Sequence, residues 1–283
     1  ELFTLYQNLQ KEQKEKYHWI LSNFMEEKPQ IVNKNTYEEI TKDFILDKKM
    51  KNEPVVAITA ATPGVFGFNQ EFREKLGENY TDVAISEEHA IGYASGLAKN
   101  GAKPILALMS SFVQRTYDQL SQDLALNNNP AVILVAWGGI SGADMTHLCS
   151  FDISMMSNIP NLVYLAPTNA EEYLAMLNWS MNQNNHPVII RMPKEFVHAD
   201  RNVSDNYSCL NTYEVVEQGK DVAVVAEGSF FGLGKQVCDE FNKCGITPTL
   251  INPRYLTGID ENCLCELEKS HKIVVTLEDG ELD

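Results

Sequence analysis

Positive charge is scarce in this chain of 283 residues: 23 Lys and Arg face 39 Asp and Glu, a formal net charge of −16. That balance excludes binding along a nucleic-acid backbone, which needs clustered Lys and Arg on the phosphates. A phosphorylated metabolite needs only one or two local cations and stays compatible with the composition. Long apolar runs are missing as well: no uncharged stretch approaches the ~18 residues that span a bilayer, so no membrane partner is expected. The six cysteines (Cys149, Cys209, Cys238, Cys244, Cys263, Cys265) form no CxxC pair and no array with histidines. They predict neither a zinc site nor a disulfide framework, and reduced thiols in the cytoplasm, or a plastid stroma, are the expectation. There is no P-loop, no GxSxG and no HExxH, and Gly64 and Gly67 lack the spacing of a dinucleotide fingerprint. The chain starts at Glu1 instead of Met, without a signal peptide, which predicts a piece cut from a longer protein.

What is present is ordinary globular material, 44% apolar and 22% charged. At about 150 residues per domain this length allows two domains, each able to bury a core. Residues 1–53 are charged and mostly helical in pattern; Thr36-Tyr37-Glu38-Glu39 is a capping box, with Tyr37, Ile40 and Phe44 on one face of the following helix. From residue 54 short β-rich runs (55–61, 82–85, 104–109, 131–137, 162–166, 188–192) alternate with helical stretches near 87–99, 113–127 and 169–183, the last opened by the box Thr168-Asn169-Ala170-Glu171. Strands apolar throughout and separated by helices predict an α/β fold, a doubly wound, mostly parallel sheet covered on both faces. A smaller α/β unit follows, with strands near 222–226, 247–251 and 272–277. The expected division is a linker over 1–36, a first domain over 37–195, a connection over 196–220 and a second domain over 221–283. Three strands make a thin sheet, which predicts a truncated second domain.

Ligands of open parallel sheets bind beyond the carboxyl ends of the strands. That rule selects Thr62-Pro63-Gly64, Ser86-Glu87-Glu88-His89, the run from Ser110 to Arg115, and the glycine-rich stretch that leads to Asp144 and His147. Each feature also has a plain structural reading. Glu87 and Glu88 complement a helix dipole, Phe112 is a core ring, Arg115 is a solvated helix residue, and Asp144 and His147 belong to a turn. Glu278-Asp279-Gly280 reads as an exposed turn. Their concentration on one edge is the signal.

Several segments occur together and in order: 55–67 (VVAITAATPGVFG), 82–96 (DVAISEEHAIGYASG), 111–119 (SFVQRTYDQ), 142–147 (GADMTH), Phe151-Asp152 with Ile159-Pro160-Asn161, then Asn252-Pro253-Arg254-Tyr255 and 276–280 (TLEDG). From about residue 36 onward the chain resembles the pyrimidine-binding and C-terminal domains of the 1-deoxy-D-xylulose 5-phosphate synthase family, transketolase-like enzymes that use thiamine diphosphate. The resemblance implies a thiamine diphosphate-binding fold of the pyrimidine type and condensation of pyruvate with glyceraldehyde 3-phosphate, with loss of CO2, toward isoprenoid and thiamine synthesis. It implies that Glu87 is the catalytic carboxyl on N1′ of the aminopyrimidine, that Phe112 stacks on that ring, and that Arg115 adds a polar contact to cofactor and substrate. Asp144 and His147 then face the substrate as catalytic groups, with Lys194 among the substrate-binding positions. The diphosphate and its Mg2+ are implied to sit on a separate N-terminal domain or subunit with a Gly-Asp-Gly…Asn motif, in a homodimer or heteromer; this chain itself has no metal ligands assigned.

The departures lie on the acceptor side. The family usually has Tyr where Met109 stands, and Arg where Trp137 and Lys194 stand; the stretch from Asp144 to His147 is one residue shorter. Lysine keeps the charge but loses the bidentate fork, and tryptophan loses both. Two alternatives therefore stand beside the first reading: the C-terminal subunit of a split transketolase or a 2-oxo acid dehydrogenase β subunit, and a non-catalytic relative used for binding.

Overall fold

A computed structural model describes residues 36–139, 147, 149–193 and 195–280. The entry helix α1 (Tyr37–Met50) starts at Thr36, whose side chain accepts from the Glu39 amide at 3.2 Å, and it buries Tyr37 and Phe44. Six parallel strands follow: β1 (Val55–Thr59), β2 (Tyr80–Asp82), β3 (Lys103–Met109), β4 (Val132–Ala136), β5 (Val163–Leu165) and β6 (Val188–Arg191), in the order β2-β1-β3-β4-β6-β5. Successive residues of a strand point to opposite faces, and the core divides accordingly. Ile105, Leu134 and Ile190 pack with Phe44, Ile45 and Met176 on one side, while Leu106, Ile133 and Ile189 pack with Ile91, Leu120 and Leu124 on the other. Both faces are covered, by α1, α2 (Gln70–Leu76) and α6 (Ala170–Asn182) on the first and by α3 (Glu87–Lys99) on the second.

Three expectations shift locally. The strand expected at 82–85 lies at Tyr80–Asp82, because the chain turns at Ala84 (φ 60°) to enter α3. The stretch expected as one helix over 113–127 is α4 (Ser110–Val113), a 3-10 turn, one helical turn and a π-helical segment over Leu120–Ala125. The capping box at 168 slides by one residue: Asn169 accepts from the Glu172 amide at 2.9 Å, while Glu172 Oε2 accepts from the Thr168 amide and hydroxyl at 2.8 Å each. A short helix not foreseen, α5 (Asp152–Ser157), stands between β4 and β5.

The second sheet has four strands, not three. Within the stretch read as a connection, β7 (Glu214–Glu217) pairs antiparallel with β9 (Thr249–Asn252), and the order is β10-β8-β9-β7, with β8 (Asp221–Ala226) and β10 (His271–Leu277) parallel. Helices α7 (Phe231–Lys243) and α8 (Glu261–Ser270) complete the unit. The chain passes from β8 to β9 on one side and returns to β10 on the other, so the switch point of this sheet lies at the carboxyl ends of β8 and β10. The two units are joined by backbone hydrogen bonds, Ala166 N–H to Arg254 O at 2.9 Å and Leu256 N–H to Tyr164 O at 2.7 Å, and by Asn252 donating to Glu172 at 2.9 Å. Burial pushes the Glu172 carboxyl above its ordinary pKa.

Candidate functional site

The carboxyl edge of the first sheet carries three strained turns. Ala61 (φ 57°) follows β1, Ala84 (φ 60°) follows β2 and Trp137 (φ 63°) follows β4, all in the left-handed region that costs an L side chain about 1–2 kcal/mol. One carboxylate organises the first two: Asp82 Oδ1 accepts from the Ala61 amide and the Ala84 amide, each at 2.9 Å. The Ser86 amide then donates to Ala84 O at 2.8 Å, and α3 begins at Glu87. Ser86 stands at the N-cap position, yet its hydroxyl makes no cap bond, so the entry into α3 is set by Asp82. Sequence reasoning passed over Asp82 as the first residue of a strand; an Asp two residues before the turn at Ala84 was the available signal.

Glu87 is thereby placed on the first turn of α3, only 1% exposed, and Arg115 Nη1 donates to its Oε2 at 3.1 Å from a guanidinium half in solvent. The Arg115 arm comes from the end of β3, where α4 turns Phe112 outward from the sheet. The Phe112 and His147 rings meet edge to face, centroids 5.6 Å apart. Ser111, Phe112, Gln114, Arg115 and His147 line one pocket of about 380 Å³. At this edge the Thr62 and Ser111 hydroxyl oxygens are buried without a hydrogen-bond partner, which is unusual for buried polar atoms and suits a site that takes a polar ligand. The structure thus gathers Glu87, Phe112, Arg115 and His147. Asp144 and Lys194 lie outside the described residues. Met109 is buried, and Trp137 packs against the core of the sheet. Among the described residues no group of three or more His, Cys, Asp and Glu is arranged to hold a metal, and no helix is long and apolar enough to cross a membrane.

Behind this pocket sits a second polar centre that sequence reasoning missed. Arg191, the last residue of β6, is buried and forks onto Asp152 of α5: Nε to Oδ2 at 2.8 Å, Nη2 to Oδ1 at 3.1 Å. Its Nη1 turns to the second domain, to Glu227 Oε1 at 3.3 Å and to Asp279. Tyr164 donates to Asp152 Oδ2 at 2.9 Å. Asp279, expected in an exposed turn, is completely buried, because its charge is drawn in by a guanidinium 88 residues away in the chain. Three carboxyls around one cation carry excess negative charge. Burial, with Asp279 adding to it against the pull of Arg191, raises Glu227 to about 8, and Asp152 and Glu227 hold Arg191 firmly charged although burial opposes it. Burial also drives the Tyr164 hydroxyl up. The glycines Gly138 and Gly139 explain themselves here: a Cβ on Gly138 would stand 2.6 Å from Arg191 Nε and Asp152 Oδ2, and one on Gly139 (φ 68°) would collide with Asp279.

Residues 36–198 match the family model of the transketolase pyrimidine-binding domain, and residues 211–282 that of the transketolase C-terminal domain. A 1-deoxy-D-xylulose-5-phosphate synthase of Alkaliphilus oremlandii is 37% identical over 272 residues, 94% of this chain and 43% of that protein. The enzyme of the same description from Clostridium acetobutylicum is 36% identical over 255 residues, 88% of this chain and 40% of the relative. The chain therefore spans less than half the length of these curated relatives. Among solved structures, a chain described as a split gene transketolase, inactive beta4 tetramer, superposes with TM-score 0.72 at 22% identity, over 86% of this chain and 79% of that one. A transketolase mutant from Pichia stipitis gives 0.73 at 14% identity, over 86% and 39%. At those identities the superpositions establish the fold.

Proposed function

The chain belongs to the transketolase family, and on that premise we propose that it forms the aminopyrimidine half of a thiamine diphosphate site in an enzyme that joins pyruvate to glyceraldehyde 3-phosphate, giving 1-deoxy-D-xylulose 5-phosphate and CO2. The observation that carries this reading is a buried carboxyl, Glu87, held on the first turn of α3 beside a pocket edged by Phe112 and His147. The residues suit the cofactor. A protonated ring nitrogen is a natural partner for Glu87, the half-buried Phe112 ring lining the pocket offers a stacked heterocycle about 0.5–1.5 kcal/mol beyond burial, and the orphaned Thr62 and Ser111 hydroxyls await polar atoms. When bound, thiamine diphosphate supplies a nucleophilic carbon that takes up a 2-oxo acid and releases CO2. Glu87 holds a proton on the aminopyrimidine, Arg115 steadies the Glu87 carboxyl, Phe112 orients the ring, and His147 stands where it can pass a proton to or from a substrate oxygen. Asp144 and Lys194 are assigned to the acceptor side. Diphosphate and Mg2+ fall to an N-terminal domain or subunit, within a dimeric or heteromeric cytoplasmic enzyme.

The test is turnover of pyruvate and glyceraldehyde 3-phosphate by the chain combined with its diphosphate-binding partner, with product identified by mass. Formation of the pentulose phosphate that is lost in Glu87→Ala supports the reading; turnover indifferent to that change overturns it. One observation favours a second reading. Trp137 is packed on the core and offers no cation to an acceptor phosphate, which fits the C-terminal subunit of a split transketolase acting on a different acceptor. Replacing pyruvate by a ketose phosphate as donor separates the two.

A further inference from the structure

The switch point of a doubly wound sheet is where such a fold ordinarily binds a ligand. In the second sheet that crevice, at the carboxyl ends of β8 and β10, is filled from within: Glu227 and Asp279 stand one at each strand end, and between them lies Arg191 of the first domain. The same guanidinium grips Asp152, five residues after His147, and presses on Gly138. Asp279 lies against Gly139, whose amide donates to Cys149 O at 2.9 Å in an isolated antiparallel bridge, and Gly280 packs on Ser150 and Ile153. Every described flank of the segment that carries His147 thus rests on this one ion cluster.

From that juxtaposition we infer that Asp279 and Glu227 of the C-terminal domain are positioning residues that, through Arg191, fix the Gly139–Cys149 bridge and with it the His147 ring over the pocket. The C-terminal domain then contributes to the site without touching substrate. The inference deepens the proposed function and rests on it for the role of His147; the clamp itself is a structural statement that can be read independently.

Cys149 is a built-in reporter, since its thiol is buried beside the bridge, while Cys238 is buried in the core of the C-terminal domain and Cys209, Cys244 and Cys265 are exposed. The full chain, as wild type, Asp279→Ala and Asp279→Asn, is pulsed with a maleimide and the labelling rate of each cysteine is read by peptide mass spectrometry. Removing an acceptor of a charged hydrogen bond should raise Cys149 labelling about tenfold or more in Asp279→Ala, with Cys238 unchanged. Asp279→Asn, which keeps an oxygen for Arg191, should restore most of the protection. Equal acceleration at Cys149 and Cys238, or none at Cys149, overturns the clamp. In the enzyme with its diphosphate-binding partner, Asp279→Ala should lower turnover several-fold and Asp279→Asn should restore most of it, and unchanged turnover in Asp279→Ala in spite of faster Cys149 labelling overturns the positioning role. Absence of product from the unaltered enzyme would instead strike the proposed function, and the labelling rates alone would decide the clamp.

Discussion

Glu87→Gln separates a carboxyl that works from a carboxyl that only finishes a helix. Both readings agree on where it sits, on the first turn of α3 and almost without solvent exposure. As a structural residue it offers two favourable terms. A negative charge at a helix N-terminus contributes about 0.3–1 kcal/mol. The pair with Arg115, whose side chain is 50% exposed, belongs with solvent-screened ion pairs of about 0–1 kcal/mol. Against these stands the cost of burying the charge, which the isosteric amide does not bear. The net loss is therefore at most about 2 kcal/mol, or a Tm decrease below about 8 °C for a domain of this size. As the group that holds a proton on the cofactor it should matter far more: general acid–base contributions run to about 10²–10⁴-fold in rate. The assay is turnover of pyruvate with glyceraldehyde 3-phosphate in the assembled enzyme, alongside calorimetric melting of the same preparation. The expected result is a rate loss of at least about 100-fold with a melting shift of a few degrees. A large melting shift with the rate retained would refute the reasoning and return Glu87 to the role of a capping residue.

Other consequences follow from the same geometry. Glu227, raised to about 8 by burial and by Asp279, binds a proton in the folded state that it releases near 4.5 when unfolded; its stabilising effect is complete below the unfolded value and is lost as pH rises through about 8. Stability, and with it the melting temperature, should accordingly fall between about pH 5 and 8, Glu227 contributing no more than about 1.4 kcal/mol per pH unit and the buried Glu172 acting in the same direction. The groups facing Glu227 are Arg191 and Asp279, with Asp152 and Tyr164 behind the guanidinium, and Glu227→Gln should flatten that slope; an unchanged slope would place the proton elsewhere. Gly139→Ala should destabilise by about 2 kcal/mol or more, since it adds a left-handed strain of about 1–2 kcal/mol to a clash with Asp279, and melting that stays within a degree of wild type would show that the bridge yields. Trp137→Arg should lower the KM for a phosphorylated acceptor if the Arg side chain reaches the pocket from that turn, and an unchanged KM would assign the position to the core it packs on. Asp82→Ala should free the Ala61 and Ala84 turns and weaken cofactor binding, whereas Asp82→Asn, which keeps the shared acceptor oxygen, should be mild by calorimetric titration.

What could be read along the chain was whatever the chain decides locally. A strand buried on both faces must be apolar throughout, so β1, β3, β4 and β6 stand out as runs, and Thr36 announces the start of α1 because its hydroxyl serves an amide three residues on. The carboxyl-edge rule then collected Glu87, Phe112, Arg115 and His147, since parallel strands deliver their following residues to one side whatever the details of packing. The failures have the opposite character. The four residues of β7, with glutamate at both ends, lack a run and owe their strand conformation to β9. The segment after Phe112 has a helical period, and nothing in that period marks the change to π geometry over Leu120–Ala125. The Arg191 cluster draws its members from five places between residues 152 and 279: in the sequence Tyr164 and Arg191 read only as strand residues and Asp279 as an exposed turn, and nothing there joins them to Asp152 and Glu227. Only when the second sheet docks, with β8 and β10 ending against β6, does water leave these groups, and from then on each carboxyl depends on the guanidinium and the guanidinium on them. Such a centre has no local precursor in the sequence. That is why the pocket beside Glu87, Phe112 and His147 was legible and the part joining it to the second domain was not.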